Sequence, residues 1–281
     1  MCRILGYLGP PISLDRLVLD PDHSMLVQSY QPRELKSAVL NGDGFGLGWH
    51  GPSESPSDDT RSPDIAPFVY RNILPMWNDR NLEDLCRYIQ ASSFVVNLRS
   101  ATHKMPVDIS NCQPFKYRQM LFVHNGLIEN FSKTLQRPIR EKLCDFAYRS
   151  IQGLTDSEHI FALLVHYLEM QPGIDIAEAL HQTMKTLASM ANAAEVRIAA
   201  NIILSLPDRL IALRYDNQQA APSLYLLKNS KLFPNSVILS SEGLWEDSRE
   251  DSQEDSWQPY NQSELVSIDS ELTIKSYATI D

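Results

Sequence analysis

Cys2 stands directly after Met1. Removal of Met1 would leave a thiol and a free α-amine on one residue. An α-amine has a reference pKa of about 7.7–8.0, so it can take a thiol proton near neutrality. Nucleophile and base then share one residue, as with an N-terminal threonine and its amine. By itself this is weak evidence, because most second-position cysteines carry no chemistry. Asn125-Gly126 follows the apolar run Met120 to His124. A side-chain amide and a glycine N–H at a strand end could form an oxyanion hole. A hairpin turn is the ordinary explanation of the same dipeptide. Arg99, with Thr102 and His103 nearby, ends another apolar run. Its planar fork could hold a carboxylate, or it pairs with a surface acid. Asp156 could hold an ammonium group, or answer the positive end of a helix.

The elements that must position these groups are legible in part. Gly42, Gly44, Gly46 and Gly48 alternate within GDGFGLGW. In a strand they would leave one face as bare backbone, open to a neighbouring element or a ligand. A phosphate-binding loop is excluded by the missing Gly-Lys-Ser/Thr ending. A strand is expected at 3–8, stopped by Pro10-Pro11, with further strands at 93–98 and 120–124. Helices are expected at 32–40, 81–90, 137–151, 156–170 and 175–193. The fourth opens on Thr155-Asp156-Ser157-Glu158, which has capping-box spacing. The last carries Ile176, Leu180, Met184 and Leu187 on one stripe. Short strands follow at 197–204, 209–215, 223–227, 236–240, 264–268 and 272–277. Residues 51–67 and the acidic run 246–255 read as surface loops. Strands, then helices, then strands predict an α+β chain in a single domain.

Composition narrows the partners. The chain has 281 residues, 43 % hydrophobic and 21 % charged, with net charge −10. That is globular composition, and with no basic run it argues against nucleic acid. Cys2, Cys86, Cys112 and Cys144 lie far apart with no CxxC or CxxH spacing. Reduced thiols are expected, with neither a disulfide framework nor a metal site. No apolar stretch approaches the roughly 18 residues that span a bilayer, and no secretory signal is evident. A cytoplasmic protein without a membrane partner is expected.

The order of these segments says more than any one of them. Cys2, then GDGFGLGW, LRSAT, NCQPF, VHNGLIENF and TDSE, resembles class II glutamine amidotransferase (glutaminase) domains. The match is closest to the branch that hydrolyses a γ-glutamyl intermediate of ergothioneine biosynthesis, strongest over residues 2–170 and weaker through SSEGLW. The resemblance implies one domain over 2–281 with the N-terminal-nucleophile fold, a four-layer αββα sandwich. It implies Cys2 as nucleophile, Asn125 and Gly126 as oxyanion hole, Arg99 and Thr102 at the substrate α-carboxylate, and Asp156 at the α-ammonium. The substrate would be a small γ-glutamyl molecule, and neither metal nor organic cofactor is required.

Asn97 and Gln113 stand where the wider class usually has histidine, so neither is given a catalytic part. His124 is expected to support the neighbouring turn. For a leaving group such as hercynylcysteine sulfoxide, Tyr30, Phe45 and Trp49 are candidates for cation–π contact with its trimethylammonium, though packing also explains each. Two alternatives stay open: a glutaminase or glutathione-type amidase working with a partner subunit, and a non-catalytic sensor of γ-glutamyl compounds.

Overall fold

The computed structural model describes residues 2–34, 40–51, 66–101, 106–245, 256–278 and 280. The described strands are β1 (Arg3–Ser13), β2 (Phe45–Trp49), β3 (Phe68–Asn72), β4 (Gln90–Leu98), β5 (Phe115–Tyr117), β6 (Met120–Ile128) and β7 (Ile198–Ser205). They continue as β8 (Arg209–Asp216), β9 (Tyr225–Lys228), β10 (Val237–Ser240), β11 (Gln258–Pro259), β12 (Glu264–Asp269) and β13 (Ile274–Ser276). The helices are α1 (Asp15–Val18), α2 (Met25–Tyr30), α3 (Leu82–Tyr88), α4 (Gln136–Lys142), α5 (Asp145–Ser150), α6 (Asp156–Met170) and α7 (Ile176–Ala194).

One antiparallel sheet has the order β11-β9-β10-β1-β4-β2-β3, the other β13-β12-β8-β7-β6-β5. The period-two alternation of strand side chains sorts three cores. Along β1, Ile4 and Leu8 face between the sheets, where they meet Val95, Val123, Ile203 and Leu210. Leu5 and Tyr7 face outward and pack with Phe94 beneath Leu17, Met25 and Cys86 of α1 to α3. On the second sheet, Phe122, Ile202 and Leu204 pack beneath Leu163, Leu180, Met184 and Leu187 of α6 and α7. Helices, sheet, sheet, helices: the architecture is the four-layer αββα sandwich of the α+β class.

Several elements depart from the expectations, each for a local reason. β1 runs on through Pro10-Pro11. Its register with β4 shifts between Leu8 and Ile12, and its pairing with β10 ends at Leu8, so the prolines fall where no ladder N–H is required. β6 does not turn at Asn125-Gly126 but pairs with β7 as far as Ile128 opposite Ile198. The helix expected at 137–151 is two helices, parted where the Cys144 N–H donates to His166 Nδ1 at 3.1 Å. Of the helix expected at 32–40, residues 32–34 and 40 are not helical and the rest lie outside the described residues. Most of 51–67 and all of 246–255 lie outside them too.

The glycine cluster enters a strand only at its second half. Gly44 turns the chain with φ +107°, and Gly46 and Gly48 lie in β2. A Cβ on Gly46 would stand 2.1 Å from the Gln113 carbonyl oxygen, and one on Gly48 2.8 Å from Pro114. The bare face therefore seats a neighbouring backbone segment. No described helix is long and apolar enough to cross a membrane. All four cysteines are free thiols.

Candidate active site

Cys2 immediately precedes β1. Because Arg3 lies opposite Leu98, the register carries Cys2 to the end of β4. Its Sγ is 4.0 Å from the Ser100 carbonyl oxygen. Arg99 is buried there. Its backbone N–H donates to Gly44 at 2.9 Å, and its carbonyl accepts the Asp43 N–H at 3.1 Å. Its guanidinium donates to the carbonyl oxygens of Asp43 at 3.0 Å and Pro106 at 3.2 Å. No ion pair joins it to a carboxylate among the described residues. The Asp43 carboxylate accepts the Ala101 N–H at 2.7 Å, which pins the strand exit. Thr102 lies outside the described residues.

The second sheet supplies Asn125 and Gly126 from within β6. Asn125 is fully buried and faces β1 across the sheets. Its Nδ2 donates to Ser241 Oγ at 3.5 Å, and its Oδ1 has no partner among the described residues. That serine also accepts the Ile4 N–H at 3.0 Å, and its own N–H donates to the Ile4 carbonyl at 3.0 Å. Ser241 thus links the strand behind Cys2 to the Asn125 amide.

Alternation along β6 places the Gly126 N–H. The His124 N–H donates to Gln113 Oε1 at 2.5 Å, and the Ile128 N–H to Asp156 Oδ2 at 2.8 Å. Both point away from β7, so the Gly126 N–H between them points the same way. β5 pairs with β6 only as far as Phe122, which leaves this stretch of edge uncovered by β5. A side chain on Gly126 is excluded: its Cβ would stand 1.9 Å from the Ala199 carbonyl oxygen.

Asp156 opens α6 beneath the same edge. Its Oδ1 accepts the Ser157 N–H at 2.8 Å. Thr155 caps the helix through the Glu158 N–H at 3.2 Å. The reciprocal half of the expected capping box is absent, because the Glu158 carboxylate accepts the Gln152 and Gly153 N–H groups instead. No direct bond joins Asp156 to Arg99 or to Cys2 among the described residues. Asp156 shares a strand edge with Gly126, while Arg99 and Cys2 share a strand pair in the other sheet.

His124 is no base. Burial lowers its pKa, its Nδ1 lies 2.8 Å from Ser157 Oγ, and its Nε2 3.4 Å from the Ala199 carbonyl oxygen. Both ring nitrogens thus face protein groups, and the ring braces the strand beneath Gly126, where a turn was expected. Gln113 pairs its amide with the backbone of His124. Asn97 is buried, and neither of its side-chain polar atoms has a partner among the described residues.

The candidate aromatic cage does not form. Phe45 is in the core of the first sheet. Trp49 stacks on Phe68 at the far end of β2. Only Tyr30 is exposed, edge-on to Trp77. Sequence reasoning also gave no part to Arg3, His23, Asp43, Ser241 or Glu242. The signal available for the last two was an apolar strand running directly into Ser-Ser-Glu.

Two stacked antiparallel sheets between helical layers, with a cysteine leading into a central strand, define an N-terminal-nucleophile-hydrolase-like fold. Solved structures share it. A glutamine aminotransferase class-II domain protein from Silicibacter pomeroyi superposes with TM-score 0.66 at 21 % identity, covering 98 % of this chain and 99 % of that one. The glutamine phosphoribosylpyrophosphate amidotransferase of B. subtilis superposes with TM-score 0.62 at 12 % identity, covering 99 % and 49 %. Residues 22–227 match the family model of class-II glutamine amidotransferases, and the chain belongs to that family.

Among curated relatives, the probable glutamine amidotransferase DUG3 of Saccharomyces cerevisiae is 36 % identical over 172 residues, 60 % of this chain and 46 % of that protein. The γ-glutamyl-hercynylcysteine sulfoxide hydrolase of Mycobacterium tuberculosis is 32 % identical over 147 residues, 52 % and 58 %. The chain spans about half the length of the curated relatives it matches.

Proposed function

We propose that residues 2–281 form one catalytic domain that hydrolyses a γ-glutamyl amide, with Cys2 as nucleophile. The preferred substrate is γ-glutamyl-hercynylcysteine sulfoxide, released as hercynylcysteine sulfoxide and glutamate. The observation that carries the reading is the convergence on Ser241: the strand that follows Cys2 and the Asn125 amide bind the same side chain. The similarity to the mycobacterial hydrolase supports the substrate.

With Met1 removed, the Cys2 amine takes the thiol proton and the sulfur attacks the γ-carbonyl carbon. The negative charge gathers on the carbonyl oxygen, where Asn125 Nδ2 and the Gly126 N–H receive it. One such donor is typically worth ~2.7–4 kcal/mol of barrier. Collapse breaks the C–N bond, and the leaving amine takes the proton back from the Cys2 ammonium. Water then adds to the thioester with the amine again as base, releasing glutamate and restoring the thiol. Arg99, held by carbonyls and unmatched by a carboxylate among the described residues, suits the substrate α-carboxylate, and Asp156 its α-ammonium. Asp156 would also need to keep the bond that ties it to Ile128.

A second reading is favoured by the likeness to DUG3: release of ammonia from glutamine, or cleavage of a glutathione-type amide, for a partner subunit. Glutamate release from γ-glutamyl-hercynylcysteine sulfoxide, glutathione and glutamine, measured in parallel with Met1-free protein, separates them. Turnover of the first at least about tenfold faster supports the proposal. Preference for either of the others moves the substrate to the second reading.

A further inference from the structure

Glu242 lies just past β10, 1 % exposed, and its two oxygens meet three hydrogen-bonding groups and one ion-pair partner. Oε1 meets Arg3 Nε at 2.6 Å and accepts the Glu34 N–H at 3.0 Å. Oε2 meets His23 Nε2 at 2.6 Å and accepts the Arg33 N–H at 2.9 Å. Burial by itself would raise its pKa. His23, Arg3 and the two N–H groups reverse that and hold it at about 2. The carboxylate is therefore charged throughout the working range of pH.

Its partners lead back to the nucleophile. Arg3 Nη1 donates to the Cys2 carbonyl oxygen at 3.1 Å. The preceding residue, Ser241, binds both backbone groups of Ile4 and accepts from Asn125. Glu34, whose N–H the carboxylate holds, in turn accepts the Tyr225 hydroxyl at 2.8 Å. Two consecutive residues thus grip Cys2 and the two residues behind it, the Asn125 amide, and the 33–34 segment. A buried ion pair of this kind adds little net stability compared with apolar packing. What three hydrogen bonds and an ion pair on one buried carboxylate do confer is a single position for each group they carry.

We propose that Glu242 is a positioning residue for Cys2: through Arg3 it fixes the Cys2 carbonyl, and with it the direction of the thiol and the amine relative to Asn125. This rests on the reading of Cys2 as nucleophile. Among the described residues no hydrogen bond or ion pair joins Arg99 or Asp156 to Glu242 or Arg3, so a change at Glu242 alters catalysis more than capture of the glutamyl head.

The test compares Met1-free parent protein with Glu242→Gln, Arg3→Met and the double variant. Circular dichroism selects folded protein, and the substrate is the γ-glutamyl amide that the parent turns over fastest. Glu242→Gln is expected to lower kcat about tenfold or more, as displacements near an ångström do, with KM within about threefold of the parent. The double variant is expected to be no worse than the weaker single one, because both remove the same tie.

A folded Glu242→Gln protein with lower Tm but kcat within about twofold of the parent overturns the proposal. So do losses that multiply in the double variant. Amide hydrogen exchange over residues 3–5 adds a readout that needs no substrate. If the parent released no glutamate from any γ-glutamyl amide, the functional reading would fall alone. Faster exchange in both single variants would then still support the tie, and unchanged exchange would overturn it.

Discussion

Replacing Gly126 with alanine puts a methyl carbon 1.9 Å from the Ala199 carbonyl oxygen and 2.5 Å from His124 Nε2. Neither neighbour can give way cheaply. Ala199 is in the interior of β7, paired on its other side with Asp216 of β8, and the His124 ring is held by Ser157. To restore even a tight 3.0 Å contact, β6 must move away from β7 by about an ångström. That shift carries the Gly126 N–H and the Asn125 amide off the position they share. A misplacement of that size can slow a reaction about a hundredfold, and overpacking of a tight interior costs about 1–3 kcal/mol.

The assay is kcat and KM from glutamate release, beside urea unfolding of the same preparation. Gly51→Ala, with nothing among the described residues within 4 Å of its added Cβ, is the control and is expected to match the parent in both. Gly126→Ala is expected to lose about a hundredfold in kcat and at least ~1 kcal/mol in stability. A variant with kcat within about threefold and stability within ~0.5 kcal/mol of the parent would refute the reasoning, since surface changes alone span that range.

Asn125→Ala removes one donor without adding bulk, and kcat is expected to fall about 10²–10³-fold with a smaller change in KM, read from initial rates. Arg99→Lys keeps the charge but loses the planar fork, so KM should rise about tenfold or more while kcat falls less. Acid stability should follow two buried histidines. Burial lowers His50 and His159 from the usual 6.5 to about 4. Between those values the unfolded chain binds protons that the folded one does not, so the stability is present above pH 6.5 and lost as pH falls toward 4. Urea midpoints measured from pH 7.5 to 4.5 are expected to fall, and a flat profile would contradict the assignment.

The long periodic elements were legible because local pattern and tertiary role agree. α6 and α7 show apolar stripes that pack on the second sheet, and the strands from β7 to β10 alternate or run apolar between turns. What escaped the sequence was set by distant partners. Asn125-Gly126 has the chemistry of a turn, yet β7 captures both residues in a ladder, and tertiary pairing overrides the local preference. Pro10-Pro11 reads as a stop, but a shift of register makes room for it.

The candidate site divides the same way. Cys2, Arg99, Thr102, Asn125, Gly126 and Asp156 were proposed from the order of their motifs, and Thr102 lies outside the described residues. Arg3, His23, Ser241 and Glu242 meet only because β1 lies between β10 and β4 and brings residues some 240 positions apart into one cluster. No spacing rule along the chain announces such a contact. The cage failed for a related reason: Phe45 and Trp49 lie in one strand with Gly46, and the strand's period sends Phe45 into the core.

The most direct test of the account is acid quenching of Met1-free protein during turnover of γ-glutamyl-hercynylcysteine sulfoxide, followed by mass analysis of its peptides. The account predicts one glutamyl group in thioester linkage on Cys2, absent from Cys2→Ala. Glutamate released without any adduct on Cys2, or an adduct carried instead by Cys86, Cys112 or Cys144, would contradict it.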